Sequence, residues 1–350
     1  MDMPSIDYFS DTNTNPSQEM RQYMAQASVG NEVAGEDPTV NELVEQTRAI
    51  LNKEAALFLP SGAMCNSIAL RVLCKQAGDI VIATKDAHIA HLSAGMVSGL
   101  VHGNLHLLEG KSGMFAVEEL QAILALPGGR NLPTYRVVSI EQTTNYGGGA
   151  IWPLDTLHTL CHMAHQHGLM THMDGARLWH AVVETEITAA AYAQPFDAVW
   201  VDFSKGLGAP MGAVLAGNKY FIEEAWYYKF QQGGGMHQAG IIAAGCLYGL
   251  KHHMKRLKTI HAHTKKLAQG LARLPFIALD PVQVATNIIV FSCQHPVLDA
   301  YGVAQKLLDH SIRVLAFTPS QVRMILHLDI SDQDVQRTLA VFEKIAAQEA

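Results

Sequence analysis

The sequence lacks the patterns that mark several classes of protein. Its five cysteines are odd in number, scattered and never spaced C-x-x-C, which predicts reduced core thiols rather than a disulfide framework. Basic residues number 25 against 32 acidic ones, with no block of either sign, which argues against a nucleic-acid partner. No apolar run is long enough to span a membrane, and the most continuous one, at 241–250, predicts a buried helix.

The first residues, MDMPSIDYFSD, are acidic and polar, so we expect neither a signal peptide nor a transit peptide. Together with the cysteine usage, this predicts a cytoplasmic protein. The apolar fraction of 49% predicts a large core, and the length of 350 residues suggests about two domains.

Short β-rich runs alternate with helical runs along most of the chain, which predicts an α/β fold with a mainly parallel sheet. The predicted strands are 79–84, 135–141, 169–174, 198–204 and 212–217. Helices are expected after Thr39, which would form a capping box with Glu42, after Ser61 and after Pro153.

The character of the chain changes after a long helical stretch that runs from about 238 to 274. Beyond it we predict strands at 286–293 and 323–328 and helices at 303–311 and 332–347. The chain therefore divides into a large domain, 1–250, with an N-terminal arm over 1–30, and a small α+β domain, 251–350.

Polar residues follow the predicted strands, at the edge of an open α/β sheet where ligands bind: Asp174, Lys205, Glu141 and His88. Lys205 lies in DFSKGLGAPMG, which has the spacing of neither common nucleotide-binding glycine motif. A partly desolvated lysine with a lowered pKa is what Schiff-base chemistry requires.

Asp174 begins DGAR and would by itself be read as a turn. Beside a buried lysine it suggests a carboxylate held against a cationic ring nitrogen, as a pyridoxal ring needs. Ser61, Gly62 and Ala63 lead into a helix whose N-terminus suits a phosphate, although a simple helix cap is the favoured interpretation of these three residues alone.

Ten segments in order carry a resemblance that extends from Ser10 to near the C-terminus. They are FSDTNTNPSQEM, GNEVAGEDPTVNEL, LFLPSGAMCN, AHIAHLSAG, IEQTTN, HMDGARL, DFSKGLGAPMGAVLAG, GGGMHQAG, TNIIVF and VRMILHLDIS. With these segments the chain resembles the L-threonine aldolase group of the β-eliminating lyases, which are fold-type I enzymes dependent on pyridoxal 5'-phosphate (PLP). The resemblance implies a large domain with a mainly parallel, seven-stranded sheet.

The resemblance also implies a role for each matching residue. Lys205 would be attached to the cofactor, Asp174 would pair with its ring nitrogen, and His88 would stack on the ring near the substrate hydroxyl. The phosphate would be held by Ser61, Gly62 and Ala63, and Arg177 would also contact the cofactor. The substrate carboxylate would be bound by Ser10, Arg177 and Arg323. His237, in 233–238, would reach the phosphate of an adjoining subunit in a tetramer built as a dimer of dimers.

The implied reaction is cleavage of L-threonine, L-allo-threonine or a related β-hydroxy-α-amino acid to glycine and an aldehyde. Two alternatives remain open at this point. One is another PLP reaction on the same scaffold, either β-elimination or racemisation, and the other is a non-catalytic PLP-binding protein.

Four positions depart from the family pattern: Thr144 in place of a second histidine, His237 in place of an arginine, Ala34 in place of a tyrosine and Ala63 in place of a threonine. A threonine hydroxyl cannot act as a base near neutral pH, so the proton would pass to His88 or to a held water. Tyr146 or Trp179 would fill space left by the missing groups.

Metal binding is disfavoured. His158, Cys161, His162 and His165 share helical spacing, but leucines compete for the same buried stripe. The remaining histidine pairs, 252–253 and 261 with 263, are expected on solvated helix faces.

Overall fold

A seven-stranded sheet forms the centre of the computed structural model, which describes residues 5–295 and 297–347. The strands of all sheets, in chain order, are β1 (Ile6–Asp7), β2 (Ala55–Leu59), β3 (Ile80–Thr84), β4 (Asn104–Leu108), β5 (Tyr135–Glu141), β6 (Met170–Gly175), β7 (Ala198–Asp202), β8 (Ala213–Gly217), β9 (Ile277–Ala278), β10 (Ile288–Cys293), β11 (Ile312–Arg313), β12 (Leu315–Thr318) and β13 (Gln321–Ile325). The central sheet has the order β2-β8-β7-β6-β5-β3-β4, and only β8 runs antiparallel to its neighbours.

Helices cover both faces of this sheet, which explains why its strands are apolar throughout instead of alternating. They are α1 (Gln18–Ala25), α2 (Pro38–Leu51), α3 (Gly62–Leu73), α4 (His88–His91), α5 (Val117–Leu124), α6 (Leu154–Gln166), α7 (Leu178–Thr185), α8 (Ala189–Ala193), α9 (Lys219–Gln231), α10 (Gly240–Tyr248), α11 (Leu257–Leu271), α12 (Ala300–Asp309) and α13 (Asp332–Ala347). None of these helices is long and apolar enough to cross a membrane.

A second, antiparallel sheet of order β12-β13-β10-β9 forms the C-terminal part, where α11 and α12 pack against α13. The α/β class with a large, mostly parallel sheet and a smaller α+β part is thus confirmed. The long helix is interrupted between α10 and α11 by a π-helical turn, Gly249–His253, and a 3-10 turn, Met254–Arg256. The proposed domain boundary near 250 falls at this interruption. Residues 1–4 and 348–350 of the proposed domains lie outside the described residues.

The N-terminal arm crosses to the C-terminal part, because β1 pairs in parallel with β11. Tyr8 continues this attachment: its ring is fully buried, and its hydroxyl lies 3.0 Å from the Thr338 hydroxyl. The arm therefore connects the two parts of the chain.

Helix α2 is capped differently from the prediction. The predicted Thr39–Glu42 capping box is wrong, because Asp37 is the N-cap and its Oδ1 accepts the Thr39 and Val40 amides. The other oxygen of Asp37 accepts the amides of Gly30 and Gly240, so the same buried side chain joins three segments. An aspartate followed by proline at the first helical position is a strong start signal, which explains the shift.

Replacing Asp37 with alanine is expected to lower the free energy of unfolding by about 2–4 kcal/mol, because it removes the cap and leaves buried amides without acceptors. Urea denaturation of the apoprotein measures the effect. Glu42→Ala is the matched control: the Glu42 side chain is exposed, accepts a hydrogen bond from Gln46 and should change stability by less than about 0.5 kcal/mol when removed. Equal effects of the two substitutions would restore the predicted capping box.

Candidate active site

A cavity of about 500 Å³ lies at the carboxyl ends of β5, β6 and β7. The lining includes eleven residues singled out from the sequence: Ser10, Ser61, Gly62, Ala63, His88, Glu141, Tyr146, Asp174, Arg177, Lys205 and Arg323. Parallel strands end at the same edge of a sheet, and this brings together side chains that are far apart in the chain.

Lys205 is held in place by an acidic neighbour. Its Nζ lies 3.0 Å from Oδ2 of Asp202, the last residue of β7, and 5.5 Å from the centre of the Trp200 ring. Burial acts to lower the lysine pKa, but the carboxylates of Asp202, Asp174 and Asp11 together outweigh burial and raise it, contrary to the lowered pKa expected from the sequence. In the apoprotein Lys205 is therefore protonated and is held at the cavity wall by Asp202.

Asp174 is positioned by a chain of polar contacts. Its Oδ2 accepts from Asn66 Nδ2 at 2.8 Å, and its Oδ1 accepts the Ala176 amide at 3.1 Å. Asn66 in turn accepts from Trp200 Nε1 at 2.6 Å, which fixes the orientation of its amide. These contacts hold both oxygens of Asp174 in one orientation, so the site presents an oriented carboxylate to a ligand.

The N-terminus of α3 faces the cavity. Ser61 caps this helix, and its Oγ accepts the Met64 amide at 3.3 Å. The amides of Gly62 and Ala63 have no hydrogen-bond partner among the described residues. A Cβ at Gly62 would lie 2.1 Å from the Trp200 ring, so glycine is required for this close packing. The cap and the anion-binding interpretation of 61–63 are therefore compatible.

Arg177 is engaged by a residue that the sequence did not point to. Its Nε and Nη2 each donate to a different oxygen of Asp11 at 2.8 Å, and both side chains are buried. Burial opposes the charge on Asp11, but Arg177 holds the pKa of that carboxyl below its usual range. The fork of Arg177 is thus occupied by Asp11, which leaves Nη1 for a ligand.

Arg323 is the cavity's unpaired cation. Its Nη1 donates to Asn145 Oδ1 at 2.7 Å and its Nη2 to the Phe9 carbonyl at 3.4 Å, but no carboxylate among the described residues contacts it. Its Nε is buried without a partner. Burial and the nearby Arg177 lower the pKa of Arg323 to about 10. This environment favours an anion bound between the two arginines.

His88 begins α4 and lines the cavity. Its Nδ1 lies 3.1 Å from Ser93 Oγ, so Nε2 is the nitrogen left for a ligand. Burial lowers the pKa of His88, although Asp174 opposes this effect. The imidazole is therefore neutral and able to accept a proton near neutral pH.

Position 144 contributes no group to the cavity. The Thr144 hydroxyl accepts the Ala150 amide at 3.1 Å and lies within a tight turn over Gly147. Its neighbour Tyr146 does line the cavity, as the sequence analysis suggested, and stacks on Phe317 with ring centres 5.6 Å apart. Beyond Tyr146 and Leu92 lies a second cavity of about 730 Å³.

Three other suggested residues lie elsewhere. His237 is exposed and does not line this cavity, so its assignment to an adjoining subunit stays a prediction. Ala34 is exposed in the turn Glu32–Ala34. Trp179 does not fill space in the cavity, because its ring is buried in the core and its Nε1 donates to the Asp202 carbonyl.

The expectation of solvated histidine faces is wrong for two residues. His253 and His261 are buried, although His252 is exposed. His253 Nδ1 bonds the Leu207 carbonyl, whereas His261 bridges His180 at 2.9 Å and Glu184 at 2.8 Å. The π-helical turn Gly249–His253 and helix α11 pack against the large domain with these side chains, which the local pattern of polar residues did not reveal.

No cluster of three or more potential metal ligands occurs within the described residues. In α6, Cys161 packs in the core while His158 and His162 face outward. The fourth residue of that set, His165, bonds Asp197 instead. Helical spacing alone did not bring these side chains together.

The residues of the cavity fit pyridoxal phosphate. An oriented carboxylate at Asp174 suits a protonated ring nitrogen, Lys205 supplies the amine, and the free amides at 62–63 suit a phosphate. The helix N-terminus and Lys205 both line the one cavity that Asp174 enters.

Comparisons with known proteins agree with this arrangement. Residues 7–294 match the beta-eliminating lyase family. The probable low-specificity L-threonine aldolase 2 of Arabidopsis thaliana is 35% identical over 97% of both chains. The low specificity L-threonine aldolase of Escherichia coli K12 is 31% identical over 98% of this chain and 100% of its own. A threonine aldolase structure from Leishmania major covers 97% of this chain and 99% of its own, with a TM-score of 0.84 at 18% identity.

The fold and the cavity define a lyase-type enzyme with the fold of type I pyridoxal-phosphate proteins. The chain belongs to the threonine aldolase group of the beta-eliminating lyase family, and its cofactor is pyridoxal phosphate.

Sequence reasoning missed the partners that orient the site. Asp11, Asn66, Trp200 and Asp202 all lie within the quoted segments or predicted strands, yet their pairing depends on contacts over long sequence separations. Only the Asp202–Lys205 contact could have been predicted from a local pattern, because the two residues are three positions apart. The others had no such pattern beyond their presence in the resemblance.

Replacing Asp11 with asparagine is expected to lower the free energy of unfolding by about 3–5 kcal/mol at pH 7, because Arg177 is left buried without its counter-charge. The folded-state pKa of Asp11 is depressed, so its contribution is present above about pH 4 and is lost as pH falls further. The deficit of the variant should therefore shrink in acid. Chemical denaturation from pH 3 to 8 measures it.

The double variant Asp11→Asn/Arg177→Met is the matched control, since it removes both charges together. Its loss of stability should be smaller than the sum of the losses in the two single variants, because it leaves neither charge buried without a partner. Strictly additive losses would contradict the pairing.

Proposed function

We propose that this enzyme cleaves L-threonine, L-allo-threonine or a related β-hydroxy-α-amino acid to glycine and an aldehyde. The observation that carries the proposal is the unpaired, buried Arg323 in the cavity that also holds Lys205 and Asp174. An amino-acid carboxylate is the anion that suits it. The names of the Arabidopsis and Escherichia coli relatives support the same reaction.

The substrate carboxylate would lie between Arg323 and the free Nη1 of Arg177. Ser10 lines the same region; its Oγ accepts the Thr12 amide and hydroxyl, so its own hydrogen is available to the carboxylate. Charge-assisted hydrogen bonds from two arginines would fix the amino acid in one orientation. The protein thus selects which Cα bond is aligned for cleavage.

The proton of the substrate β-hydroxyl would pass to Nε2 of His88. This nitrogen is free because Nδ1 is engaged with Ser93, and the lowered pKa leaves the ring neutral. When bound, the cofactor supplies the electron sink for the pair released from the Cα–Cβ bond. Lys205, Asp174 and the N-terminus of α3 would hold the cofactor.

The second cavity beyond Tyr146 supports acceptance of larger β-substituents. It is lined by the C-terminal sheet and by α4 and loops of the large domain, and it adjoins the substrate cavity through the shared residues Leu92 and Tyr146. Thr144 lies inside its turn and lines neither cavity. The enzyme therefore has room for substrates related to threonine but longer at the β-carbon.

We also propose a homotetramer, a dimer of dimers with shared sites, that acts in the cytoplasm. Three aromatic residues are exposed along one face of α9: Tyr220, Tyr227 and Phe230. Such a face is suited to burial against another copy. His237 lies nearby in sequence and is exposed, as a residue that serves a neighbour's phosphate would be. The five free cysteines accord with a reducing compartment.

The reaction is tested by the absorption spectrum of the protein loaded with pyridoxal phosphate, followed by addition of L-allo-threonine. We expect a visible cofactor band, stoichiometric glycine and acetaldehyde, and loss of both band and products in Lys205→Ala. Ammonia with a keto acid would instead identify β-elimination, and a change of optical rotation alone would identify racemisation. A normal band with no reaction on any β-hydroxy-α-amino acid would leave a cofactor-binding protein.

Arg323→Gln is expected to raise the KM of L-allo-threonine by about 10–100-fold, because charge-assisted hydrogen bonds to the carboxylate are lost. The effect on kcat should be smaller. Steady-state kinetics at pH 7 separates the two constants. Arg313→Gln is the matched control, since this arginine bonds Asp7, stacks on Phe9 and does not line the cavity. Equal KM changes in both variants would remove the carboxylate role from Arg323.

A further inference from the structure

Glu141 is a second carboxyl on the cavity wall that the proposed reaction does not use. It is the last residue of β5, and its register partner in β6 is Asp174. Partnered residues on adjacent strands point to the same face of a sheet, so the two carboxyl groups enter the cavity side by side. Glu141 is 7% exposed and Asp174 4%.

The two carboxyl groups have unequal support. Asp174 accepts hydrogen bonds on both oxygens, whereas Glu141 accepts one, from the Asn145 amide to Oε2 at 3.1 Å. Oε1 of Glu141 has no partner among the described residues. The arginine and lysine nearest to the pair already have carboxylates of their own, Asp11 and Asp202. Adjacent buried carboxyls without a dedicated cation do not both ionise, and the proton belongs on the less supported one.

Every charged or titratable group lining the cavity bears on this balance. Besides Glu141, these groups are Tyr146 from the turn after β5, Asp174 and Arg177 from β6 and the turn after it, Asp202 and Lys205 from β7 and its turn, His88 from α4 and Arg323 from β13. Burial raises the pKa of Glu141 to about 8, and the neighbouring Asp174 adds to this effect against the opposing arginine and lysine. The electrostatics agree with the geometry.

We propose that Glu141 is protonated in the resting enzyme and that its carboxyl O–H is a hydrogen-bond donor into the substrate cavity. Thr144, three residues further along the chain, contributes no side chain to this cavity. This inference rests on the proposed function. The acceptor is an oxygen of the bound cofactor or of the bound amino acid. A neutral buried acid is a stronger donor than an amide and brings no charge into the cavity.

Infrared difference spectroscopy of the apoprotein, wild type minus Glu141→Gln, tests the protonation directly. We expect a protonated-carboxyl band at pH 7 that disappears in the variant and fades as pH rises through about 8. The exposed Glu118→Gln is the matched control and should retain the band. Absence of the band at pH 7 would overturn the proposal. A shift of the band on cofactor loading identifies a cofactor oxygen as acceptor, and a shift only with added glycine identifies the amino acid.

Apoprotein stability provides a second readout that needs no activity. The folded-state pKa of Glu141 is raised, so stability from its neutral form is present below about pH 4 and is lost as pH rises through about 8. Relative to Glu141→Gln, the wild type should therefore become steadily less stable over this interval. Parallel curves for the two proteins would contradict a protonated Glu141.

Kinetics of the loaded enzyme then distinguishes donor from base. Glu141→Gln keeps an N–H donor, so its kcat/KM should fall only a few-fold, and it should no longer show the decline in kcat/KM that we expect of the wild type near pH 8. The kcat/KM of Glu141→Ala, which has no donor, should fall about tenfold further. A loss of about 100-fold or more in Glu141→Gln at every pH would assign Glu141 as an ionised base and overturn the proposal. Equal losses in both variants would exclude a donor role. If no substrate is cleaved at all, the proposed function fails, while the infrared and stability results still decide the state of Glu141.

Discussion

The buried ion pair between Asp11 and Arg177 is the contact on which the arrangement of the site depends. Asp11 belongs to the N-terminal arm and Arg177 follows β6 of the central sheet. Asn287, just before β10, donates to the same carboxylate and to the Leu326 carbonyl. One carboxylate thereby joins the arm, the large sheet and the C-terminal part around a single cavity. Removing this carboxylate would take away the contact that joins these three parts, and it would also leave the charge of Arg177 without its partner.

A consistent electrostatic pattern follows from this pair. Arg177 and Lys205 each have a carboxylate partner, and Arg323 has none within the described part of the chain. Two carboxyl groups, Asp174 and Glu141, face the cavity without a cation of their own. The side chains without a partner of opposite charge complement the expected ligands: Arg323 suits an anion, and Asp174 suits a cationic ring nitrogen. Protonation of Glu141 keeps the remaining carboxyl from disturbing that match.

Much of the fold was predictable because its strands are apolar and are followed by polar residues. The strand at 135–141 and the helix at 332–347 were predicted with the bounds that the structure has. The N-cap of α2 was misplaced by two residues because Asp37, with its proline, outcompetes Thr39. The buried His253 and His261 were mistaken for surface residues, since a helix face of histidines and lysines does not reveal which neighbour covers it.

The sequence by itself determined the class of fold and the cofactor, and it predicted the lysine and aspartate that would serve that cofactor, because these depend on local patterns and on segments that occur in order. Only the tertiary structure decided which groups remain free to act. Arg177 is occupied by Asp11, Thr144 turns away from the cavity, and Glu141 meets Asp174 across two strands. Charge and protonation in a buried site depend on partners brought together from distant parts of the chain, and spacing along the sequence does not contain those distances.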